Sequence, residues 1–149
     1  MQGPAPDPAA RLPGAAVIVL FDGVCAFCNG AVEWLLRHDP EGRLRFAPLQ
    51  GETAAGLRAR HPEIPATLET LVVVETVAGE ERVWLRSAAV LRACAAISAA
   101  PRWVRWLALV PRPLADLGYR LLARVRYRVF GRLDTCRLPL PGERSRILD

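Results

Sequence analysis

Ala16-Val-Ile-Val-Leu-Phe-Asp-Gly-Val-Cys-Ala-Phe-Cys-Asn-Gly-Ala-Val-Glu-Trp-Leu-Leu-Arg37 is the part of the chain where the fold is easiest to read. Its first six residues are all apolar and rich in β-branched side chains, with no polar alternation. That is the pattern of a short strand covered on both faces. Asp22-Gly23 ends the run. Beyond the two cysteines, Ala31, Val32, Leu35 and Leu36 form an apolar stripe with Glu33 and Arg37 turned away, which predicts a helix of about three turns stopped at Asp39-Pro40. Arg43 to Ala47 then alternates polar and apolar as a second strand. A parallel return across an intervening helix makes the unit βαβ, and Cys25 and Cys28 fall where its first strand meets its helix.

Residues 51–61 have helix-forming composition and close at Pro62 and Pro65. Leu71-Val-Val-Val-Glu-Thr-Val77 is the strongest strand signal in the chain. A turn at Ala78-Gly79-Glu80 leads into Arg82-Val-Trp-Leu85 as the second arm of a hairpin. Ser87 is a candidate N-cap for a helix running to about Ala100, with Val90, Leu91, Cys94 and Ile97 on one face. The order β-α-β-α-β-β-α predicts an α/β fold. Past Pro101, Trp103, Trp106, Leu107 and Val110 recur at helical spacing. After Pro111 and Pro113 comes a longer helix with Leu114, Leu117, Leu121, Leu122, Val125 and Val129 on one face and Arg120, Arg124, Arg126 and Arg128 elsewhere. The expected organisation is therefore a disordered segment over 1–14, a core over 15–100, and a basic helical extension over 101–149 whose apolar stripe packs on that core.

The chain has 149 residues, 52% hydrophobic and 23% charged, enough to bury a core as one unit and too apolar for a disordered or low-complexity protein. No apolar run approaches the roughly 20 residues of a spanning helix. The opening MQGPAPDPAARLPG lacks the basic start and apolar stretch of a secretory signal, so the expected location is the cytoplasm. The net charge of +5 is local: residues 1–100 hold nine Arg against eleven acids, and residues 101–149 hold eleven Arg against four.

Cysteine placement carries the chemistry. In a cytosolic chain four cysteines argue for catalysis, metal or burial over a disulfide framework. A first cysteine at a helix start meets unpaired N–H groups and the positive end of the macrodipole, which favour a thiolate over the ordinary thiol of pKa about 8.5. Cys25 fits that role. Cys28, one turn on, can resolve a mixed disulfide by attack on Cys25. Asp22 has two readings, a base for Cys28 or a turn former with Gly23. A structural zinc site would need Cys94, Cys136, His38 or His61 to converge on the pair from separate elements, so no metal is expected. Cys94 reads as a buried small hydrophobe. Cys136, between Arg132 and Arg137, is either a third redox thiol or an incidental loop cysteine.

The basic extension lacks a recognisable nucleic-acid motif or interleaved stacking aromatics, so no nucleic-acid partner is expected. A peripheral membrane contact is the stronger binding reading, because Trp103, Trp106, Tyr119 and Tyr127 accompany leucine and arginine there.

Phe21-Asp-Gly-Val-Cys-Ala-Phe-Cys-Asn29 resembles the signature of the DCC family of thiol-disulfide oxidoreductases, with Asp22, Cys25 and Cys28 in the named positions. Arg43-Leu-Arg-Phe-Ala-Pro-Leu-Gln50, the Ser87-Ala-Ala-Val-Leu helix and Arg126-Tyr-Arg-Val-Phe-Gly131 followed by Cys136 resemble further segments of that family in the same order. The resemblance covers nearly the whole chain from about residue 16. It implies a thioredoxin-like fold with extra C-terminal helices and thiol-disulfide exchange without a bound cofactor. The partners would be a protein or small-molecule disulfide or thiol, with electrons from a small thiol or a partner reductase. Thioredoxins carry a cis-proline just before the third strand; here Glu69-Thr70 stand at that place and Pro65 comes several residues earlier. The competing class is a binding module in which this domain is a scaffold and the basic helices carry the function.

Overall fold

The computed structural model describes residues 17–66, 71–97, 100–132 and 141–148. Within them the chain runs β1 (Val17–Phe21), α1 (Ala26–Arg37), β2 (Leu44–Pro48), α2 (Glu52–Arg60), β3 (Val72–Val77), β4 (Glu80–Leu85), α3 (Arg86–Ala96), α4 (Val104–Leu107) and α5 (Arg112–Val129). The sheet order is β2-β1-β3-β4. β1 pairs parallel with β2 and antiparallel with β3, which pairs antiparallel with β4. This is the thioredoxin-like arrangement that the resemblance implies, with α4 and α5 added. The expected segment 1–14, Glu69-Thr70 and Cys136 lie outside the described residues.

β1 is central and buried at every position, which is why its sequence shows no alternation. Side chains on a strand still alternate between faces. Val17, Val19 and Phe21 join Val32 and Leu35 of α1 and Ala89, Ala93 and Cys94 of α3. Ile18 and Leu20 join Ala54 and Leu57 of α2. Helices thus cover both faces, and Cys94 is the core residue its position predicts. The open edge of β2 is partly paired by the chain's end: Phe46 N–H donates to Arg146 O at 2.8 Å and Leu148 N–H to Phe46 O at 2.8 Å. Arg146 holds that end down through the buried carboxylate of Asp39.

Two expectations are corrected. Ser87 does not cap α3: the N-cap is Leu85, the helix starts at Arg86, and the Ser87 hydroxyl donates to Asp116 of α5. The larger correction concerns α5. Of the predicted stripe, Leu114, Leu117, Leu121, Val125 and Val129 are exposed and Leu122 is half-buried, and the residue that α5 buries fully is Arg126. α5 lies on the core through its polar side, where Arg126 meets a carboxylate and the half-buried Tyr119 accepts from Leu71 N–H at 2.6 Å. The expectation that the apolar stripe packs on the core fails for most of its residues, because the buried carboxylate of Asp22 takes Arg126 as its partner.

Candidate active site

α1 begins where β1 ends, so the turn Asp22–Val24 delivers Cys25 to the helix start. Cys25 is the N-cap, in extended conformation, and its Sγ accepts the backbone N–H of Cys28 at 3.3 Å. A sulfur there does what a serine or aspartate oxygen does at other caps, and it is better suited to the task as a thiolate. Asn29 fastens the turn from inside: its Nδ2 donates to Gly23 O at 2.9 Å and to Cys25 O at 2.8 Å.

Asp22 is buried under the pair with four donors on its carboxylate. Oδ1 takes Val24 N–H at 3.1 Å and Gln50 Nε2 at 2.9 Å. Oδ2 takes Arg126 Nη2 at 3.2 Å and the Tyr127 hydroxyl. Gln50 closes the loop by accepting Gly23 N–H at 3.2 Å. The second Arg126 nitrogen, Nη1, reaches Cys28 Sγ at 3.7 Å. One guanidinium therefore bridges the Asp22 carboxylate and the second thiol, using the fixed fork that lysine lacks. The side chains of the ion pair are 4% and 0% exposed, so neither charge is shared with water.

The electrostatics divide the two cysteines. Burial pushes the Cys28 thiol up to about 12, helped by the hydrogen bond to Cys25, the negative charge of Cys25 and that of Asp22, while Arg126 pulls the other way. At neutral pH Cys28 is a protonated thiol. Burial and its bond to Asp22 likewise hold the Tyr127 hydroxyl above its ordinary value, so it stays a donor. Burial works against the Arg126 charge, and the surrounding Cys28, Tyr127, Cys25 and Asp22 outweigh it, holding the guanidinium above its ordinary value. Stability should follow. An unfolded thiol loses its proton near 9.0 and folded Cys28 holds it to about 12. The folded state's advantage is thus complete below the lower value and declines as pH rises through that window. In urea titrations of the reduced protein, the midpoint should fall from neutral to strongly alkaline pH, and by less in Cys28→Ser. An equal fall in both would transfer the effect to other groups.

Cys25, Cys28 and Asp22 are brought together as the sequence predicts, and both thiols are unbridged. Access to them is unequal. Cys25 has no exposed surface and Cys28 is half-buried. Gly131, in the left-handed region at φ 84°, turns the chain back at the end of α5. The backbone of Arg132 then pairs with that of Cys25 in an isolated antiparallel β-bridge, Ala26 N–H donates to Gly131 O at 3.4 Å, and the Phe130 ring meets Phe27 at 4.8 Å. His38 stacks on Trp34 and His61 bonds Glu81. Among the described residues no three metal-ligating side chains cluster.

Arg126 with Tyr127 completes the arrangement from the far end of the chain. A family described as DCC1-like thiol-disulfide oxidoreductase matches residues 19–132, a span that includes the end of β1, the thiol pair, Gln50 and Arg126. The chain belongs to this family. It is 32% identical over 131 residues to the uncharacterized protein YuxK of Bacillus subtilis, covering 88% of this chain and 93% of that one. It is 36% identical over 122 residues to a chloroplastic DCC family protein of Arabidopsis thaliana, covering 81% of this chain and 69% of the relative. No solved structure matches. Among the described residues no helix is long and apolar enough to cross a membrane.

The helical stripe puts Arg126 on the side of α5 away from the leucines, Tyr127 stands out in the sequence only among the aromatics of the basic extension, and no spacing marks Gln50 or Asn29. Their signal lay in the quoted family segments: Asn29 and Gln50 end two of them and Arg126-Tyr127 opens a third. All four meet at Asp22 and the thiol turn.

Proposed function

We propose that the protein exchanges disulfides through Cys25 and Cys28, with Arg126, held by Asp22, assisting the second thiol. The observation that carries the reading is Cys25 Sγ at the helix start, accepting the amide of the residue whose thiol stands ready one turn on. The Cys25 thiolate attacks one sulfur of a substrate disulfide, forming a mixed disulfide and expelling the other sulfur as a thiolate, which takes a proton. Cys28 then gives up its proton and attacks Cys25 Sγ. The Cys25–Cys28 disulfide forms, and the remaining substrate sulfur leaves reduced. The reverse sequence oxidises a dithiol substrate.

Four donors already occupy Asp22, which favours a positioning role over that of a base: it fixes the cation that eases loss of the Cys28 proton. No bound cofactor is needed, since electrons enter and leave by thiol exchange. The reading places the protein in a reducing compartment such as the cytoplasm, where thiol exchange keeps such a pair cycling. The substrate is a protein or small-molecule disulfide that reaches Cys25 once the Phe130–Arg132 cover moves aside. Phe130→Ala should therefore speed alkylation of Cys25 several-fold while leaving that of buried Cys94 unchanged. Equal rates in both proteins would remove the cover from the mechanism.

The test is a glutathione redox titration of the full chain, quenched by alkylation and mapped by peptide mass to each cysteine. A reversible Cys25–Cys28 couple is the expected result. Its midpoint separates a reductant near about −270 mV from an oxidant near about −120 mV. Cys136, a short distance along the chain beyond Arg132, is read in the same map as the candidate third thiol. Full alkylation of Cys25 and Cys28 at every poise would overturn the proposal.

A further inference from the structure

We propose that the outer face of α4 and α5 docks on an anionic lipid surface. α5 is 18 residues long, roughly 27 Å at 1.5 Å per residue. Its exposed side carries Leu114, Leu117, Leu121, Val125 and Val129 at helical spacing, opposite the side that holds Tyr119 and Arg126 against the core. Leu114 is 60% exposed and Val129 68%. Just before it, Trp106 is 71% and Leu109 72% exposed, with Trp103 also open. Such side chains are unfavourable in water, and a contiguous set of them marks a binding face.

Charge selects the occupant. Arg120, Arg124 and Arg128 flank the stripe on α5, and Arg102, Arg105 and Arg112 accompany the tryptophans; all six are exposed. Asp116 is the only acid between residues 101 and 132, and its carboxylate is turned to Ser87. An apolar face edged by arginine, with tryptophan at one end, matches a bilayer interface: acyl chains take the stripe, anionic headgroups the guanidinium groups, and the boundary the indoles. A second copy of the chain fits worse, because a two-fold contact sets the same patch against itself and would bring these arginines together. A nucleic acid would meet the arginines and leave the leucine stripe without an apolar partner. Because α5 also supplies Arg126, docking would hold the thiol pair beside the membrane surface.

The experiment is co-sedimentation of the full chain with vesicles of phosphatidylcholine alone and of phosphatidylcholine with phosphatidylglycerol, at low and at physiological salt, with sedimentation equilibrium in parallel. Binding to the anionic vesicles, weak binding to the neutral ones and a monomer in solution are expected. Arg124→Gln and Arg128→Gln should each weaken binding about fivefold, from roughly one kcal/mol per basic residue near an anionic surface. Leu117→Asp with Leu121→Asp should abolish it, with the circular dichroism of the wild type retained because both positions are already in water. Absence of binding at low salt would overturn the proposal. So would binding that the leucine variants leave intact, which would indicate charge alone, or a dimer that those variants split, which would give the face to a second copy.

Discussion

Cys25→Ser should reduce disulfide exchange to background, a loss of ~10³ or more on the scale of nucleophile removal in other enzymes. A serine hydroxyl at the cap accepts the Cys28 amide as well as sulfur does, so the fold should be kept and only the attacking atom lost. Cys28→Ser should do something different. The first attack remains possible and the second does not, so the substrate stays attached to Cys25 as a mixed disulfide, visible by mass under non-reducing conditions. The raised value of Cys28, due first to burial and then to Cys25, sharpens the contrast, since a thiol held up to about 12 is a poor attacker and improves once Cys25 has become part of a disulfide. The Cys25 charge that opposes ionisation of Cys28 is then gone, and Arg126 is left facing it. Trapping on Cys28 in the Cys25→Ser variant, with none on Cys25 in the other, would invert the roles. It would fit the more open position of Cys28.

The second large effect is expected at Arg126. Arg126→Met fills similar space without charge and leaves the Asp22 carboxylate buried with no cation. Removing one partner of such a pair costs roughly 3–5 kcal/mol, a large share of the about 5–15 kcal/mol that a domain has to spare. The urea midpoint should fall accordingly. Resolution should slow as well, because Cys28 loses a cation that pulls its proton affinity down, and mixed disulfide should accumulate in a chain that retains both cysteines. Adding Asp22→Asn separates the two effects. With both charges gone the buried imbalance is relieved and part of the stability returns, whereas slow resolution persists. If the double variant resolves mixed disulfide at the wild-type rate, Arg126 is structural and its chemical role is lost.

Where the local pattern and the tertiary role coincide, the residues could be read directly. β1 is apolar throughout because both its faces are covered, and the return through α1 to a parallel β2 follows from element order. Cys25 could be placed at a cap because a strand end and a helical stripe bracket it within a few residues. Ser87 shows the limit of that logic: a good capping residue one position inside a helix start was taken by a more distant carboxylate instead.

Thus the sequence alone determined the strand and helix periods, the hairpin, and the position of two thiols at a helix start, since each depends on neighbours within one or two turns. Only the tertiary structure decided which face of α5 turns inward. An apolar stripe is drawn to whatever will cover it, but a buried carboxylate requires a cation. Asp22 and Arg126, 104 residues apart, meet on terms that no local window contains. That pairing turns the arginine in and leaves Leu114, Leu117 and Leu121 out.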